Sequence, residues 1–461
     1  METKLLSKTI LLVDDDPVFL KGMMYTVKQL GYNSVLATSG REAAEKVKLQ
    51  EVDAIVSDIN MPNGNGLQLL NHIKKHAAHI PVILMTGLSD LKEAQAAIDM
   101  GAKSFLSKPF KKADLHEVLE NSFSKIESVP DFVPETQMIK LHIEEFLHGQ
   151  MLNFSIFFKN KGSFVKISSG GENLTPETVN SHRDAGIDFL YVNKKEFIDH
   201  LGLRGFTSNV TSCERKAFIR DSAFKVLTEL DYLSDLNKDA FTRGQVHLES
   251  TLDILTDNED TLSLLEKMTK CKSNLFKRSV EVAFFSVLIS QYLGNISTHE
   301  YFTLTAGGLF HDVGLIDTSI DVTNDPLDSL SPNERVIMEM HPERGVKILS
   351  KISQLPGDIR LIVEQHHENE IGTGYPNALT ARFINPLAKV AIVASAFTFL
   401  LIDKALTIEE AHTLLDEFSV ASKDIYSMKS LEALLLVFNR SMPEEFVEYQ
   451  LARMLSPVEN L

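Results

Sequence analysis

What this chain of 461 residues has little of closes off several classes of protein. It has two cysteines, Cys213 and Cys271, too few for a disulfide framework. Such a chain suits a reducing cytoplasm, and each thiol is expected as a small buried hydrophobe. Basic residues are outnumbered, 46 Lys and Arg against 63 Asp and Glu, for a formal charge of −17. Nucleic-acid binding draws on clustered Lys and Arg, and no basic helix supplies them, so no nucleic-acid partner is expected. No run approaches the roughly 18 apolar residues of a membrane span, and Met1 to Lys8 lacks the apolar core of a signal peptide. The sequence therefore predicts a cytoplasmic protein with no membrane contact.

What is present is a globular composition, 44% apolar, at a length too great for one core. Three domains are expected: residues 1–126, 138–207 and 208–461, with a linker at 127–137. The first is written in short apolar strands. Thr9-Ile10-Leu11-Leu12-Val13 ends in Asp14-Asp15-Asp16, Ala54-Ile55-Val56-Ser57 ends on Asp58, Val82-Ile83-Leu84-Met85 ends at Thr86, and Ser104-Phe105-Leu106-Ser107 ends at Lys108-Pro109. Amphipathic segments such as Arg41 to Leu49 and Leu91 to Met100 lie between them, which predicts βα repeats around a doubly wound parallel sheet. In such sheets ligands bind at the carboxyl ends of the strands, where the acidic, hydroxyl and lysine residues fall. Strand-end aspartates are often no more than helix caps, but five in-register positions of this chemistry are more than capping requires.

This pattern resembles the receiver domain of bacterial response regulators. The resemblance implies that Asp58 accepts a phosphoryl group, that Asp14 and Asp15 with Asp58 hold Mg²⁺, that Lys108 and Thr86 contact the phosphoryl oxygens, and that Phe105 is the aromatic switch. It also implies a sensor histidine kinase or phosphotransfer protein as donor, and a homodimer through the receiver face. The Lys108–Pro109 bond is a candidate for cis.

Pro130 and Pro134 mark the linker. Beyond it, alternation from Leu152 to Phe158, a turn at Asn160-Lys161-Gly162 and a return through Phe164-Val165-Lys166-Ile167 predict a β-hairpin. A helix capped at Thr175-Pro176, a stop at Gly186 and a strand at Phe189 to Val192 complete a small α/β domain, expected as an interaction or spacer module. From Ser208 the pattern is helical, beginning with an apolar stripe of Phe218, Ala223, Phe224, Val226, Leu227 and Leu230.

Metal-binding chemistry gathers between Leu309 and Pro376. The segment contains Phe310-His311-Asp312-Val313-Gly314, then His341-Pro342-Glu343, then Gln365-His366-His367-Glu368 followed by Gly372-Thr373-Gly374-Tyr375-Pro376. Imidazole and carboxylate hold transition metals, and a carboxylate can bridge two ions. A lone His-Asp pair would be an ordinary helix end; the order and spacing of the whole set resemble the HD-GYP family. That resemblance implies an all-helical HD-type bundle whose metal centre acts on cyclic di-GMP, with His311, Asp312, His341, His366 and His367 as ligands. The chain departs from the family at Arg278, which stands where the family has a ligand histidine, and at Leu315, Ser395 and Thr398, which replace a lysine and two aspartates. The surviving ligands suit one transition ion, iron or manganese, and weak or lost catalysis, with the domain acting by binding cyclic di-GMP or protein partners. The other readings are an active metal-dependent cyclic di-GMP phosphodiesterase, a metal-free ionic core in which Arg278 pairs with Asp312, a further ligand from His247 or His299, and a nucleotide phosphohydrolase of the wider HD group, which the Gly-Tyr-Pro loop disfavours.

Overall fold

The computed structural model describes residues 8–440 except 63, 87–90, 101, 103, 109, 124–134, 144–153, 161–162, 169–182, 184–185, 204–205, 207–212, 272–273, 295, 319–329 and 402–407. The Lys108–Pro109 bond, most of the expected linker and the helix expected from Thr175 lie outside the described residues. The chain divides into two compact units, Met1–His200 and Leu201–Leu461.

The first unit opens with β1 (Thr9–Val13), β2 (Asn33–Ala37), β3 (Ala54–Asp58), β4 (Val82–Thr86) and β5 (Ser104–Ser107), all parallel in the order β2-β1-β3-β4-β5. The helices between and after them are α1 (Pro17–Gln29), α2 (Gly40–Leu49), α3 (Gly66–His76), α4 (Leu91–Asp99) and α5 (Lys112–Phe123). β3 and β4 are buried at every position, as strands covered on both faces must be, which is why they read as unbroken apolar runs. Asp16 caps α1 through the amide of Val18, with Pro17 at the first helical position, so the chain turns away from the sheet immediately after the acidic cluster.

The same unit holds a second sheet of β6 (Met138–His142), β7 (Ile156–Asn160), β8 (Ser163–Ser168) and β9 (Phe189–Asn193), antiparallel in the order β6-β9-β7-β8, with α6 (Lys194–His200) after it. The predicted hairpin is β7 with β8, and its small core is Met138, Phe157 and Phe164 with Tyr191 against them. β5 and β8, the edge strands of their respective sheets, lie next to each other.

The second unit is helical: α7 (Cys213–Glu229), α8 (Lys238–Leu255), α9 (Glu259–Lys270), α10 (Leu275–Ser290), α11 (Thr298–Phe310), α12 (Pro332–Leu349), α13 (Gly357–Gln365), α14 (Pro386–Leu401), α15 (Ile408–Ser422) and α16 (Met428–Val437). α10 is buried almost throughout and packs against α8, α11, α14 and α16, as an all-round apolar helix must. Two expectations are corrected here. In the stripe on α7, Ile219, Ala223, Val226 and Leu227 face inward, but Phe218 and Phe224 are 51% and 56% exposed, because they fall off the face that this spacing defines. Cys213 is exposed and Cys271 half-buried, since both sit at helix ends and not on packed faces. Among the described residues no helix is long and apolar enough to cross a membrane.

Candidate phosphoacceptor site and metal centre

At the carboxyl ends of β1, β3, β4 and β5 the strand register brings four polar side chains together. Asp14 and Asp58 are 4% and 8% exposed and Thr86 is fully buried, whereas Asp15 is exposed. The Lys108 ammonium lies 2.6 Å from Asp58 Oδ1 and 3.3 Å from Asp14 Oδ2, while its backbone amide donates to the Thr86 carbonyl at 2.6 Å. Burial works against the Lys108 charge, but the hydrogen bond and field of Asp58, with Asp14 behind, outweigh it and raise the ammonium above its ordinary range. A fixed cation between two carboxylates is suited to neutralising an incoming phosphoryl group. Oxygen ligands of this kind suit Mg²⁺. Phe105 is buried on β5, one strand over from Thr86 on β4.

In the helical unit four of the five expected ligands, Asp312, His341, His366 and His367, converge from three separate stretches, with His311 against the other oxygen of Asp312. His311 is the C-cap of α11 and His366 the C-cap of α13, while His341 sits in mid-helix on α12. Each accomplishes the same thing by the same means. Nδ1 of His311 lies 2.8 Å from the Gly308 carbonyl, Nδ1 of His366 lies 2.8 Å from that of Val363, and Nδ1 of His341 lies 2.6 Å from that of Met338. A carbonyl only accepts, so Nδ1 carries a proton and Nε2 is turned inward, bare wherever the ring is neutral. The acceptors are available for physical reasons. Gly308 and Val363 lie in last helical turns, where carbonyls have no intrahelical partner, and the Met338 carbonyl is released by Pro342, which has no amide hydrogen to offer it.

Between these rings lies Asp312, fully buried. Its Oδ1 is 3.1 Å from His341 Nε2 and 3.4 Å from His366 Nε2, and the two Nε2 atoms are 3.0 Å apart. With His367, these residues place one ligand atom each within 4.8 Å of one another. Nitrogens and a carboxylate at such distances repel unless a shared proton or a metal cation joins them. Nitrogens around one tetrahedral ion stand about 3.3 Å apart for bonds of about 2.0–2.1 Å, which this spacing matches. The carbonyls behind the rings are the outer partners that metal-bound histidines require. Burial holds His311 and His366 below the ordinary imidazole value and His367 well below it, which keeps them neutral ligands. The residues present therefore fit a transition metal.

The other face of Asp312 is different. Its Oδ2 is 3.0 Å from His311 Nε2 and 3.3 Å from Nε of Arg278, which is 4% exposed. Nη2 of Arg278 donates to Ser395 Oγ at 3.4 Å, and Nη1 is buried with no partner. Burial alone would raise the Asp312 carboxyl, but the positive fields around it, the Arg278 guanidinium among them, hold it well below the usual carboxylate range. His311 thus stands on the arginine side of the carboxylate. His247 stacks on Tyr301 and His299 is only half-buried; neither joins the cluster among the described residues.

Sequence reasoning did not assign roles to two residues here. Glu368 accepts from the amides of Asn377 at 2.7 Å and Leu379 at 2.8 Å, and so anchors the Gly-Tyr-Pro loop over the centre. Its position beside His367 was visible, but its partners lie nine and eleven residues on. The second is Tyr375, stacked on His367 at 4.5 Å, with its buried hydroxyl lacking a partner and pushed up by burial and by Asp312. Gly374 admits the loop, since a Cβ there would lie 2.4 Å from the His367 carbonyl oxygen.

Comparison with known proteins follows this division. Residues 10–120 match the model of the response regulator receiver domain and residues 264–419 that of the HD domain. The chain is 35% identical over 116 residues to the transcriptional regulatory protein GlrR of Escherichia coli (strain K12), covering 25% of this chain and 26% of that protein. It is 36% identical over 123 residues to a probable cyclic di-GMP phosphodiesterase of Vibrio cholerae, covering 25% of this chain and 28% of that protein. Among solved structures it is similar to an HDG"Y"P protein from Bdellovibrio bacteriovorus, at 17% identity over 66% of this chain and 99% of that one, with a TM-score of 0.35. The chain thus spans about a quarter of the length of the first curated relatives it matches. Its own architecture is that of an N-terminal response regulator receiver domain followed by a C-terminal HD domain.

Proposed function

We propose that this protein is a phosphorelay response regulator in which phosphorylation of Asp58 controls an HD output domain of the cyclic di-GMP signalling type, and that this domain holds one transition ion and hydrolyses the nucleotide weakly or not at all. The observation that carries the reading is the division of Asp312, with Oδ1 toward His341 and His366 and Oδ2 toward Arg278.

In the receiver, a histidine kinase or phosphotransfer protein is the donor, Asp58 the acceptor, and Asp14 and Asp15 complete the Mg²⁺ ligands. Lys108 offsets the charge of the transferring group, and Thr86 contacts its oxygens. Phe105 then follows Thr86 inward, altering the face around β5 by which the receiver signals to another domain or to a second copy. In the HD domain, His341, His366, His367 and Asp312 would hold the ion, which supplies Lewis-acid polarisation of a phosphodiester and a water acidic enough to ionise near neutral pH. Tyr375 and Arg278 offer donors to phosphate oxygens, and Glu368 keeps the loop over the centre. The vicinity of Oδ2, occupied by a guanidinium, offers no second ion to activate the attacking oxygen. The cyclic di-GMP assignment is supported by the Gly-Thr-Gly-Tyr-Pro loop and by the name of the Vibrio cholerae relative.

The test is metal analysis of the purified chain with cyclic di-GMP binding and hydrolysis measured before and after treatment with beryllofluoride, which mimics the phosphoryl group. One ion per chain, nucleotide binding that changes with beryllofluoride, and slow turnover are expected. Turnover of about 1 s⁻¹ or faster, ordinary for an enzyme, would establish the active phosphodiesterase instead.

A further inference from the structure

We propose that the Arg278 guanidinium is the second fixed positive charge of the HD centre, limiting it to one metal ion, and that its Nη1 is the contact for an oxygen of a phosphate or phosphodiester anion. This rests on the functional reading above and specifies the charge and ligand chemistry of the same site.

The argument starts from the burial of a charge. Arg278 lies on α10, a helix buried almost throughout, which takes its guanidinium charge out of water. Its charge is met only in part. Nε faces Asp312 Oδ2, Nη2 reaches Ser395, a neutral hydroxyl, at the long distance of 3.4 Å, and the guanidinium lies over the Phe399 ring at 5.5 Å. Asp312 is itself shared, because Oδ1 is turned to His341 and His366. One carboxylate thus spans two cationic positions, as a carboxylate spans two metal ions in a binuclear centre; here one position is already filled by a side chain.

The unsatisfied atoms then indicate what the centre takes. Besides Arg278 Nη1, the Tyr375 hydroxyl is buried without a partner, over the His367 ring. Both are donors. A buried unpaired donor is costly and native structures seldom keep one without a use. With an ion on the histidine side, the centre carries the charges of a divalent metal and a guanidinium against one carboxylate, a net positive site. Tyr375 lies against His367 and within the fields of Asp312 and Arg278, and two donors with a metal about one carboxylate match the several oxygens of a phosphate group. Arginine suits this place better than lysine, since its planar fork gives parallel N–H groups to phosphate oxygens.

The full-length protein, loaded with Mn²⁺, can be analysed by plasma mass spectrometry for ions per chain and titrated calorimetrically with inorganic phosphate and, separately, with cyclic di-GMP. The wild-type chain is expected to hold one ion and to bind both anions. Arg278→Met should keep the ion and bind phosphate about 10–100-fold more weakly, the range for a lost hydrogen bond from a charged donor. Arg278→Lys, which keeps the charge and so protects the fold, should lose about tenfold for want of the parallel donors. Arg278→His should take up a second ion. Two ions in the wild type would overturn the proposal, and so would unchanged phosphate affinity in both Arg278→Met and Arg278→Lys. Weak binding of cyclic di-GMP beside normal binding of phosphate would assign the contact to free phosphate. A wild-type chain that holds no ion and binds neither anion would instead remove the functional reading on which the proposal stands.

Discussion

The receiver site and the HD centre both set a carboxylate against a basic side chain in a buried place, but only the receiver site keeps part of its charge at the surface, in Asp15 and Lys108. In the receiver, Lys108 bridges Asp58 and Asp14, both buried, while Asp15 beside them stays exposed. In the HD centre His311, Asp312, His341 and His366 are all shut away, and bare imidazole nitrogens face a carboxylate at about van der Waals range or closer. Coulomb energies there are several-fold larger than at a wet surface. The difference teaches that the first site keeps charge within reach of water at its edge, whereas the second, closed to water, is suited to completion by a cation.

The comparison can be broken most sharply at Asp58. Asp58→Asn is expected to abolish acid-labile phosphorylation from a small phosphodonor and Mg²⁺ altogether, with the HD unit's metal content untouched. Mass spectrometry and metal analysis read the two, and a label surviving in the variant would move the acceptor elsewhere. Next in size is Gly314→Ala, whose Cβ would sit 1.9 Å from the His341 carbonyl oxygen, so that backbone must move beside the ligand set. A loss of about 3–5 kcal/mol in the unfolding of the second unit is expected, at the upper end for single substitutions. The receiver offers its opposite: Gly22, within α1, has nothing within 4 Å of an added Cβ. Gly22→Ala should stabilise that unit by about 0.5–1 kcal/mol.

Chelation should separate the units as well. At free ion about 100–1000 times the dissociation constant, an ion bound only by the folded state contributes about 3–4 kcal/mol. Calorimetry with and without chelator should therefore lower the transition of the second unit and leave the receiver transition in place. Glu368→Gln is expected to cost about 1–3 kcal/mol, because the amide can offer one oxygen where two amides now donate. A normal melting temperature in that variant would show that the loop is held by other means. The smallest effect concerns acid. His311, His366 and His367 are depressed by burial, so below the free imidazole value of about 6.5 the unfolded chain binds more protons than the folded one. In chelated protein, stability present above that pH should be lost progressively as the pH falls toward the depressed folded values. A flat profile from pH 7.5 to 5.5 would contradict neutral buried rings.

How far each site could be read in advance follows from the same contrast. The receiver residues were legible because strands of a parallel sheet end together, so Asp14, Asp58, Thr86 and Lys108 had to meet once the strands were recognised. The HD residues were legible as a motif and not as a geometry. The spacing of His311, His341 and His366 says nothing of the carbonyls three residues behind each, because those carbonyls are free only where a helix ends or a proline interrupts it. The pairing of Arg278 with Asp312 was one of the alternatives the residues left open, but which carboxylate oxygen faces it depends on how α10 crosses the centre. Phe218 and Phe224 escaped for a simpler reason: a stripe six residues long in the apolar count was wider than the face available to bury it.

Pro342 carries one further consequence. By withholding an amide hydrogen from α12 it leaves the Met338 carbonyl to His341. An alanine there would give the helix back its missing bond, which would then compete with the imidazole for the same oxygen and let the ring turn. Selection for heat resistance alone would favour that exchange, and the variant it yielded would be a sturdier protein with a disoriented imidazole. The helix is weakest at the residue following His341, and the weakness is what keeps that ring aimed.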